Sequence, residues 1–238
     1  MRVHVFQHVP HEGPAAIGAW ASARGHSVAT THLFAGEPLP SLEDFEMLVV
    51  MGGPMNIYQY RDHPWLKPER RFLEKAISAG KKLAGACLGS QLLADALGAR
   101  VTQNAQVEIG WHPIRFSAEA RRRFPALPES QLALHWHGDT FELPEGAIRL
   151  AESDACAEQG YWYDDRVLGL QFHPEITPEV LKIWCEVDAP QPGGFVQSPA
   201  AILNQAEERY AESHRTLFTL LDALDLISQK RFPKSDSL

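Results

Sequence analysis

The order of apolar segments constrains the fold of this chain more than any other feature. In the first half, short apolar runs typical of strands alternate with longer helical candidates. The strand-like runs are Val3–Phe6, Val28–Leu33, Met47–Met51 and Lys82–Ala86, and the helical candidates are Ala15–Ala23, Trp65–Ala79 and Leu88–Leu97. Because strands that alternate with helices form parallel sheets, the pattern predicts an α/β fold with a doubly wound, mostly parallel sheet and helices on both faces.

The middle of the chain has a different pattern, in which strand candidates follow one another with short polar turns. These candidates are Val107–Phe116, Gln131–Trp136, Ala147–Glu152, Cys156–Tyr163 and Val167–Phe172. Successive strands without intervening helices indicate a partly antiparallel extension of the sheet. Thr177 and Pro178 then begin a helix, and Ser198 and Pro199 begin a long amphipathic one.

Composition excludes several classes of protein. The 238 residues are 45% hydrophobic, enough for one substantial core, and the net charge of −8 argues against a nucleic-acid partner. The one dense basic cluster, Arg121–Arg123, is expected to be a solvated turn beside Pro125. No apolar run reaches the length of about 18 residues needed to cross a membrane. Three distant cysteines and the lack of an apparent signal peptide favour a cytoplasmic protein without disulfides.

The segment around Cys87 combines a tight turn with a reactive side chain. An apolar run ends in Gly85-x-Cys87-x-Gly89 and enters a helical pattern. Glycines on both sides allow the sharp turn that presents a nucleophile above a sheet, and a helix N-terminus favours a thiolate and offers amides to an oxyanion. The same glycines are also compatible with close packing around an unreactive cysteine.

A second motif supplies the other groups that a cysteine nucleophile needs. The apolar run Val167–Phe172 delivers His173, Pro174 and Glu175 at its carboxyl end, where parallel sheets keep their active sites. His173 can deprotonate Cys87, while Glu175 orients the imidazole from its other side. These three residues are therefore the predicted catalytic triad.

Taken together, these motifs resemble those of the class I glutamine amidotransferases, which have a flavodoxin-like α/β fold. Further matching elements are the Gly52-Gly53 turn after the strand Leu48–Met51, Gln91, and the run His135–Phe141. The resemblance covers about residues 1–186, and it is greatest to stand-alone relatives of the glutaminase domain of GMP synthase and to plant γ-glutamyl peptidases.

The resemblance also assigns roles to individual residues. It implies an oxyanion hole formed by the amides of Gly53 and Leu88. It implies a substrate pocket formed by Gln91, Trp136, Gly138 and Asp139, in which Trp136 departs from the more polar residue of many relatives. Gln91 could also be a structural amide that bonds to backbone. The family needs no metal and no cofactor is expected.

The implied activity is hydrolysis of a γ-glutamyl amide, either glutamine or another γ-glutamyl compound, through a γ-glutamyl thioester on Cys87. Two alternatives remain open: a glutaminase subunit that supplies ammonia to a separate synthase, and a catalytically silent binding or regulatory relative. The predicted partner is a small-molecule γ-glutamyl substrate, with an ammonia-accepting synthase in the second case. The sequence does not fix the acceptor, the oligomeric state or the pathway.

Two remaining predictions concern a metal and the domain organisation. His135 and His137 face one side of a strand and could form half a metal site, but no acidic or cysteine ligand lies at motif spacing, so no metal is expected. We expect a catalytic domain over residues 1–188, a C-terminal loop and long helix over 189–229 packed on that domain, and a polar tail over 230–238. A partner interface is the alternative role of that helix.

Overall fold

Every strand and helix predicted in the first half of the chain forms. The structure is a computed structural model that describes residues 1–188 and 190–227. Its first elements are β1 (Arg2–Gln7), α1 (Ala15–Ala23), β2 (Ser27–His32), β3 (Met47–Val50), α2 (Leu66–Ser78), β4 (Lys82–Ala86) and α3 (Leu88–Ala96). Two short 3₁₀ turns, Leu33–Ala35 and Leu42–Asp44, connect β2 to β3. Gly98 ends the α3 segment with a φ of 90°, a backbone conformation that favours glycine.

The remaining strands and helices follow after residue 100. Its elements are β5 (Val101–Phe116), α4 (Ala118–Arg123), β6 (Ser130–Phe141), β7 (Ile148–Glu152), β8 (Gly160–Tyr163), β9 (Val167–Leu170), α5 (Pro178–Val187), β10 (Phe195–Val196), α6 (Pro199–Leu203) and α7 (Glu207–Asp225). β5 and β6 are longer than predicted and form an extended antiparallel pair. β8 is shorter than predicted, because Ser153 accepts the amides of Ala155 and Cys156 and folds that segment into a turn.

The ten strands of the described residues belong to one sheet, which confirms the predicted fold class. β2, β1, β3, β4 and β9 lie side by side in parallel, and the sheet continues through β8, β7 and β5 in antiparallel pairs. β6 pairs antiparallel with β5, and β10 pairs parallel with it. Since Ala86 of β4 lies opposite Leu170 of β9, the chain leaves both strands at the same edge of the sheet.

Apolar side chains cover both faces of the parallel strands. Along β3, Met47 and Val49 contact the cluster that contains α1 and α7, whereas Leu48 and Val50 contact the cluster that contains α2 and α3. This alternation follows from the two-residue period of a strand, and it explains why β3 is buried throughout. No helix within the described residues is both long and apolar enough to cross a membrane.

Two predicted elements differ from the structure. The helix expected from Ser198 is broken at residues 204–206 into α6 and α7. The Trp111 indole nitrogen donates to the carbonyl of Ile202 at 3.1 Å, and a continuous helix would need that carbonyl for residue 206. The expected turn at Arg121–Arg123 is the last turn of α4, which Ser117 caps by accepting the amide of Ala120. The polar tail predicted over residues 230–238 lies outside the described residues.

Candidate active site

Cys87 occupies a strained turn between β4 and α3. Its φ of 48° and ψ of −109° lie outside the regions that non-glycine residues normally adopt. The amide of Cys87 donates to the carbonyl of Leu170 at 2.7 Å, which fixes the turn to the neighbouring strand. A Cβ atom on Gly89 would lie 2.0 Å from the carbonyl oxygen of Val50, so only glycine lets α3 approach β3 this closely. The turn therefore has the geometry of a nucleophile elbow.

His173 and Glu175 follow β9 at the same edge of the sheet. His173 Nδ1 lies 2.8 Å from Glu175 Oε1, and both side chains are buried. Since the carboxylate accepts the proton of Nδ1, the lone pair of the neutral imidazole is on Nε2. Nε2 has no hydrogen-bond partner among the described residues, and Cys87 is close enough to be one of the groups that raise the pKa of His173.

The surroundings of His173 favour its charged form. Burial alone would lower the pKa of His173, but the carboxylate of Glu175 and the nearby Cys87 outweigh burial and raise the pKa well above its usual value. Trp184 of α5 packs its ring edge-to-face against the imidazole, with ring centroids 4.7 Å apart. The imidazole is thus held by a carboxylate on one side and by an aromatic ring on its face.

The sulfur of Cys87 also contacts Gln171, which the sequence analysis did not assign, and the backbone of Trp136. The thiol donates to the backbone carbonyl of Trp136 at 3.7 Å, and Gln171 Nε2 donates to the sulfur at 3.5 Å. Gln91 Nε2 in turn donates to Gln171 Oε1 at 3.0 Å and to the carbonyl of Asp139 at 3.3 Å. The Gln91 amide nitrogen is therefore engaged within the protein, as the structural interpretation of this residue requires.

The two expected oxyanion donors lie next to each other. Leu88 is the first residue of α3, so its N–H has no carbonyl partner within the helix. A Cβ atom on Gly53 would lie 3.1 Å from both Leu88 Cδ2 and His8 Cβ, so the Gly53 backbone packs against the elbow. His8 supports this turn from beneath: its Nδ1 bonds to the carbonyl of Gly52 at 3.0 Å, and its Nε2 lies 3.0 Å from Glu69 Oε1.

A cavity of about 310 Å³ opens above Cys87 and brings eight of the nine predicted site residues together. Its lining includes Cys87, His173, Gly53, Leu88, Gln91, Trp136, Gly138 and Asp139. Glu175 is the exception, because it lies behind His173. The Trp136 indole donates to Asp188 at 3.3 Å and packs on Trp184, so β6 and α5 form one wall of the cavity.

Glu12 is the main residue of the cavity that the sequence analysis missed. It lies in the loop after β1, lines the cavity, and has a pKa raised to about 7. Burial is the main cause of this shift, and repulsion by Glu175 adds to it, whereas His173 and His8 oppose it. An acidic residue just beyond the C-terminal end of a parallel strand is a general signal of a functional residue. The sequence contains this signal in the segment His11-Glu12-Gly13-Pro14, which follows β1.

One group of side chains could hold a metal ion. Glu108, His135 and His137 are all buried, and their donor atoms lie within 4.8 Å of one another. The sequence analysis found no acidic ligand near the two histidines because Glu108 comes from the neighbouring strand, where it lies opposite His137. Linear spacing does not reveal such a cross-strand neighbour.

Comparison with known proteins identifies the family. Residues 23–183 match the sequence profile described as glutamine amidotransferase class-I. The glutamine amidotransferase-like protein YfeJ of Salmonella typhimurium is 35% identical over 97% of this chain and 100% of its own length. The GMP synthase [glutamine-hydrolyzing] of Caldicellulosiruptor saccharolyticus is 31% identical over 55% of this chain, but the match spans only 24% of that enzyme.

Solved structures agree in fold. The crystal structure of a glutamine amidotransferase from Thermotoga maritima has a TM-score of 0.85 and 29% sequence identity, covering 95% of this chain and 99% of that one. That of a glutamine amidotransferase from Methylobacillus flagellatus has a TM-score of 0.87 and 28% identity, covering 94% of each chain. With a profile match over most of its length and a full-length relative above 30% identity, this chain belongs to the class-I glutamine amidotransferase family.

Proposed function

We propose that this protein hydrolyses a γ-glutamyl amide, with Cys87 as the nucleophile, His173 as the general base and acid, and Glu175 as the residue that orients and charges His173. The observation that carries the proposal is the bond between His173 Nδ1 and Glu175 Oε1 at 2.8 Å, which directs the second imidazole nitrogen to the cysteine at the strained turn. A buried imidazole that bonds to a carboxylate and lies beside a cysteine is typical of a catalytic base.

In the first half of the reaction, His173 takes the thiol proton and the sulfur attacks the carbonyl carbon of the γ-glutamyl amide. The carbonyl oxygen becomes an oxyanion that accepts the amides of Leu88 and Gly53. The carbon–nitrogen bond then breaks, and His173 gives its proton to the departing nitrogen. Ammonia or an amine leaves, and a γ-glutamyl thioester remains on Cys87.

In the second half, water replaces the amine. His173 removes a proton from water as the water oxygen attacks the thioester carbon, and the same amides hold the new oxyanion. The carbon–sulfur bond breaks and glutamate leaves with a free γ-carboxylate. The proton taken from water stays on the cysteine–histidine pair, which is thereby restored. A general base typically contributes 10²–10⁴-fold and one oxyanion donor about 10²–10³-fold, so hydrolysis needs both.

The cavity supports a substrate that carries a positive charge beside its amide. Three carboxyl-bearing residues line it, Glu12, Asp139 and Asp188, and none of the described residues that line it is Lys or Arg. The α-ammonium group of a γ-glutamyl compound meets this requirement. Asp139 and Trp136 come from the segment that the resemblance assigns to the amino-acid head of the substrate.

A second candidate is a glutaminase that works only when docked to a synthase. It is favoured by the similarity to a part of GMP synthase that amounts to about a quarter of that enzyme. A silent binding protein is the third candidate, and the complete set of Cys87, His173 and Glu175 counts against it.

One assay separates the three candidates. The purified protein is incubated alone with glutamine, γ-glutamyl dipeptides and glutathione, and released ammonia, amino acid and glutamate are measured. Turnover of a γ-glutamyl peptide without glutaminase activity supports a peptidase, and turnover of glutamine supports a glutaminase. Silence on all substrates that a synthase partner reverses supports the subunit. Binding without turnover, or normal turnover by Cys87→Ala, contradicts the proposal.

A further inference from the structure

Three buried side chains with metal-binding chemistry meet between β5 and β6, beside the proposed triad but outside it. Glu108 is fully buried, as is His135, and His137 is 5% exposed. Glu108 lies opposite His137 in the ladder, and His135 lies two residues before His137 in β6, so all three side chains share one face of the pair. We infer that Glu108, His135 and His137 bind one divalent transition-metal ion, for which Zn²⁺ is the best fit.

The two distances from Glu108 to the histidines match a single ion. Glu108 Oε2 lies 3.3 Å from His137 Nε2 and 3.4 Å from His135 Nδ1. Zinc takes imidazole and carboxylate ligands at about 2.0–2.2 Å, and tetrahedral geometry then separates the ligand atoms by about 3.3–3.6 Å. The ligand atoms of all three side chains lie within 4.8 Å of one another, so side-chain shifts of about 1 Å would bring them around one ion. Two imidazoles and a carboxylate also form a donor set that zinc and its neighbours prefer over magnesium.

The hydrogen bond on the far side of His137 supports the same conclusion. His137 Nδ1 lies 3.1 Å from the backbone carbonyl of Asp139, and a carbonyl can only accept, so Nδ1 carries the proton. In the neutral imidazole, the lone pair of Nε2 then faces the carboxylate of Glu108 at 3.3 Å, so two acceptors oppose each other, and the long contact from Gln159 Nε2 at 3.5 Å is a weak donor to that lone pair. A cation between them removes this conflict. Metal-bound histidines generally donate their second nitrogen to such a carbonyl.

A proton on His137 is the alternative to a metal, but it leaves His135 unexplained. Both ring nitrogens of His135 are buried without a hydrogen-bond partner among the described residues. Buried polar atoms without partners are costly. A metal ion would give both His135 Nδ1 and His137 Nε2 a partner, whereas a proton on His137 leaves both nitrogens of His135 without one.

The carboxylate of Glu108 also lacks a cationic partner of its own. Its ion-pair partners in the described part of the chain are the two histidines, and its other bonds come from the neutral Ser153 and Gln159. Glu108 Oε1 and Gln159 Oε1 have no hydrogen-bond partner within the described residues. A divalent ion would thus supply the charge that this buried site needs.

The position of the cluster indicates that the ion has a structural role and not a catalytic one. The pairing of β5 with β6 is interrupted between Gln103 and Glu108, and Glu108 is the residue at which it resumes. Val107, Ile109 and the segment Trp136–Asp139 line the cavity above Cys87. An ion bound to both strands would hold this wall beside the interruption. We therefore expect metal loss to lower thermal stability.

The test uses the untagged full-length protein and zinc alone. After purification without chelators, elemental analysis should find about one equivalent of zinc per chain. After EDTA treatment and dialysis, Zn²⁺ at a hundredfold excess over its dissociation constant should raise Tm by about 5–10 °C, whereas Mg²⁺ should not. Glu108→Gln and His135→Phe should both abolish the zinc-induced shift. His135→Phe fills the same space without a donor atom, so it should remain folded.

A matched control distinguishes zinc bound to the Glu108 cluster from zinc bound to the triad. Cys87→Ala removes the one thiol near His173, and it should retain both the bound zinc and the Tm shift. The proposal fails if the protein contains no zinc and added Zn²⁺ does not raise Tm. It also fails if the shift persists in folded Glu108→Gln or His135→Phe, or if Cys87→Ala abolishes it, because the ion would then lie at the triad.

Discussion

His173 is the side chain through which the other members of the proposed triad act, and Glu175 determines its orientation and charge. Glu175→Gln keeps the shape of the side chain but removes the charge that raises the pKa of His173. We expect kcat/KM to fall by about 10²–10⁴-fold, and the pKa of His173, followed by NMR, to fall as well. Glu179→Gln, an exposed neighbour on α5, should change neither quantity. A loss below tenfold in Glu175→Gln would show that the carboxylate is dispensable.

Glu12 provides a prediction about pH and stability. Its pKa is about 7 in the folded protein and near 4.5 when unfolded, so the folded state binds more protons between these values. Its contribution to stability is therefore greatest below pH 4.5 and is lost as the pH rises through 7. Above pH 7 the buried charge is a cost that Glu12→Gln removes.

Unfolding in urea at pH 5 and pH 8 tests this sign. The free energy of unfolding of Glu12→Gln, measured relative to that of wild type, should be higher at pH 8 than at pH 5 by up to about 3 kcal/mol. A difference between wild type and variant that is the same at both pH values would mean that Glu12 titrates normally.

At this scale the sequence predicted the residues that lie within compact motifs. Cys87 has flanking glycines, and His173 and Glu175 stand together after an apolar run, so each could be recognised locally. Gln171 could not be recognised from its local sequence, since its role depends on contacts with Cys87 and Gln91, about 80 residues away along the chain. Contacts between distant residues have no signature in local sequence.

Among the elements, the elbow between β4 and α3 requires the closest packing. Gly89→Ala would place a Cβ atom 2.0 Å from the backbone of β3, which cannot move aside without breaking the sheet. We expect a loss of about 2–4 kcal/mol in the free energy of unfolding, together with loss of activity.

Gly18 of α1 is the matched control, because it is also a helical glycine. A Cβ atom there would meet Pro14 at an ordinary 3.7 Å. Gly18→Ala should stabilise the protein by about 0.5–1 kcal/mol through helix propensity. Urea titrations of both variants make the comparison. Equal effects at the two positions would rule out a special role for the close approach of α3 to β3.

Element types were more predictable than element ends. The alternation in the first half predicted each of its strands and helices, because a two-residue and a 3.6-residue period are properties of local sequence. The break between α6 and α7 was not predictable in this way. It depends on Trp111, more than 90 residues earlier in the chain, which takes the carbonyl of Ile202.

For the whole molecule, α7 connects the end of the described chain to the active site. Leu217 and Leu221 of α7 lie against a small space that Pro174 and Glu175 also line. Trp20 and Arg24 of α1 both donate to Asp222, so α1 and α7 are joined over the same face of the sheet. The C-terminal helix thus supports the triad from behind.

Leu221→Ala tests this support. The side chain is fully buried, so truncation should cost about 2–5 kcal/mol in the free energy of unfolding and should lower kcat through Glu175. Leu226, which is 84% exposed just beyond the helix, is the control, and Leu226→Ala should change stability by less than about 0.5 kcal/mol. Denaturation and steady-state kinetics on the same samples decide the matter. Normal kcat in a destabilised Leu221→Ala would separate α7 from the site.

The central claim, that Cys87 carries the γ-glutamyl group during turnover, is tested most directly by trapping that group. Protein mixed with the best substrate of the γ-glutamyl panel is quenched in acid within the first turnovers and analysed by mass spectrometry of its peptides. The account predicts one γ-glutamyl group on the peptide that contains Cys87, bound through sulfur and absent in Cys87→Ala. Rapid turnover with no covalent group on Cys87, or the group on another residue, would contradict it.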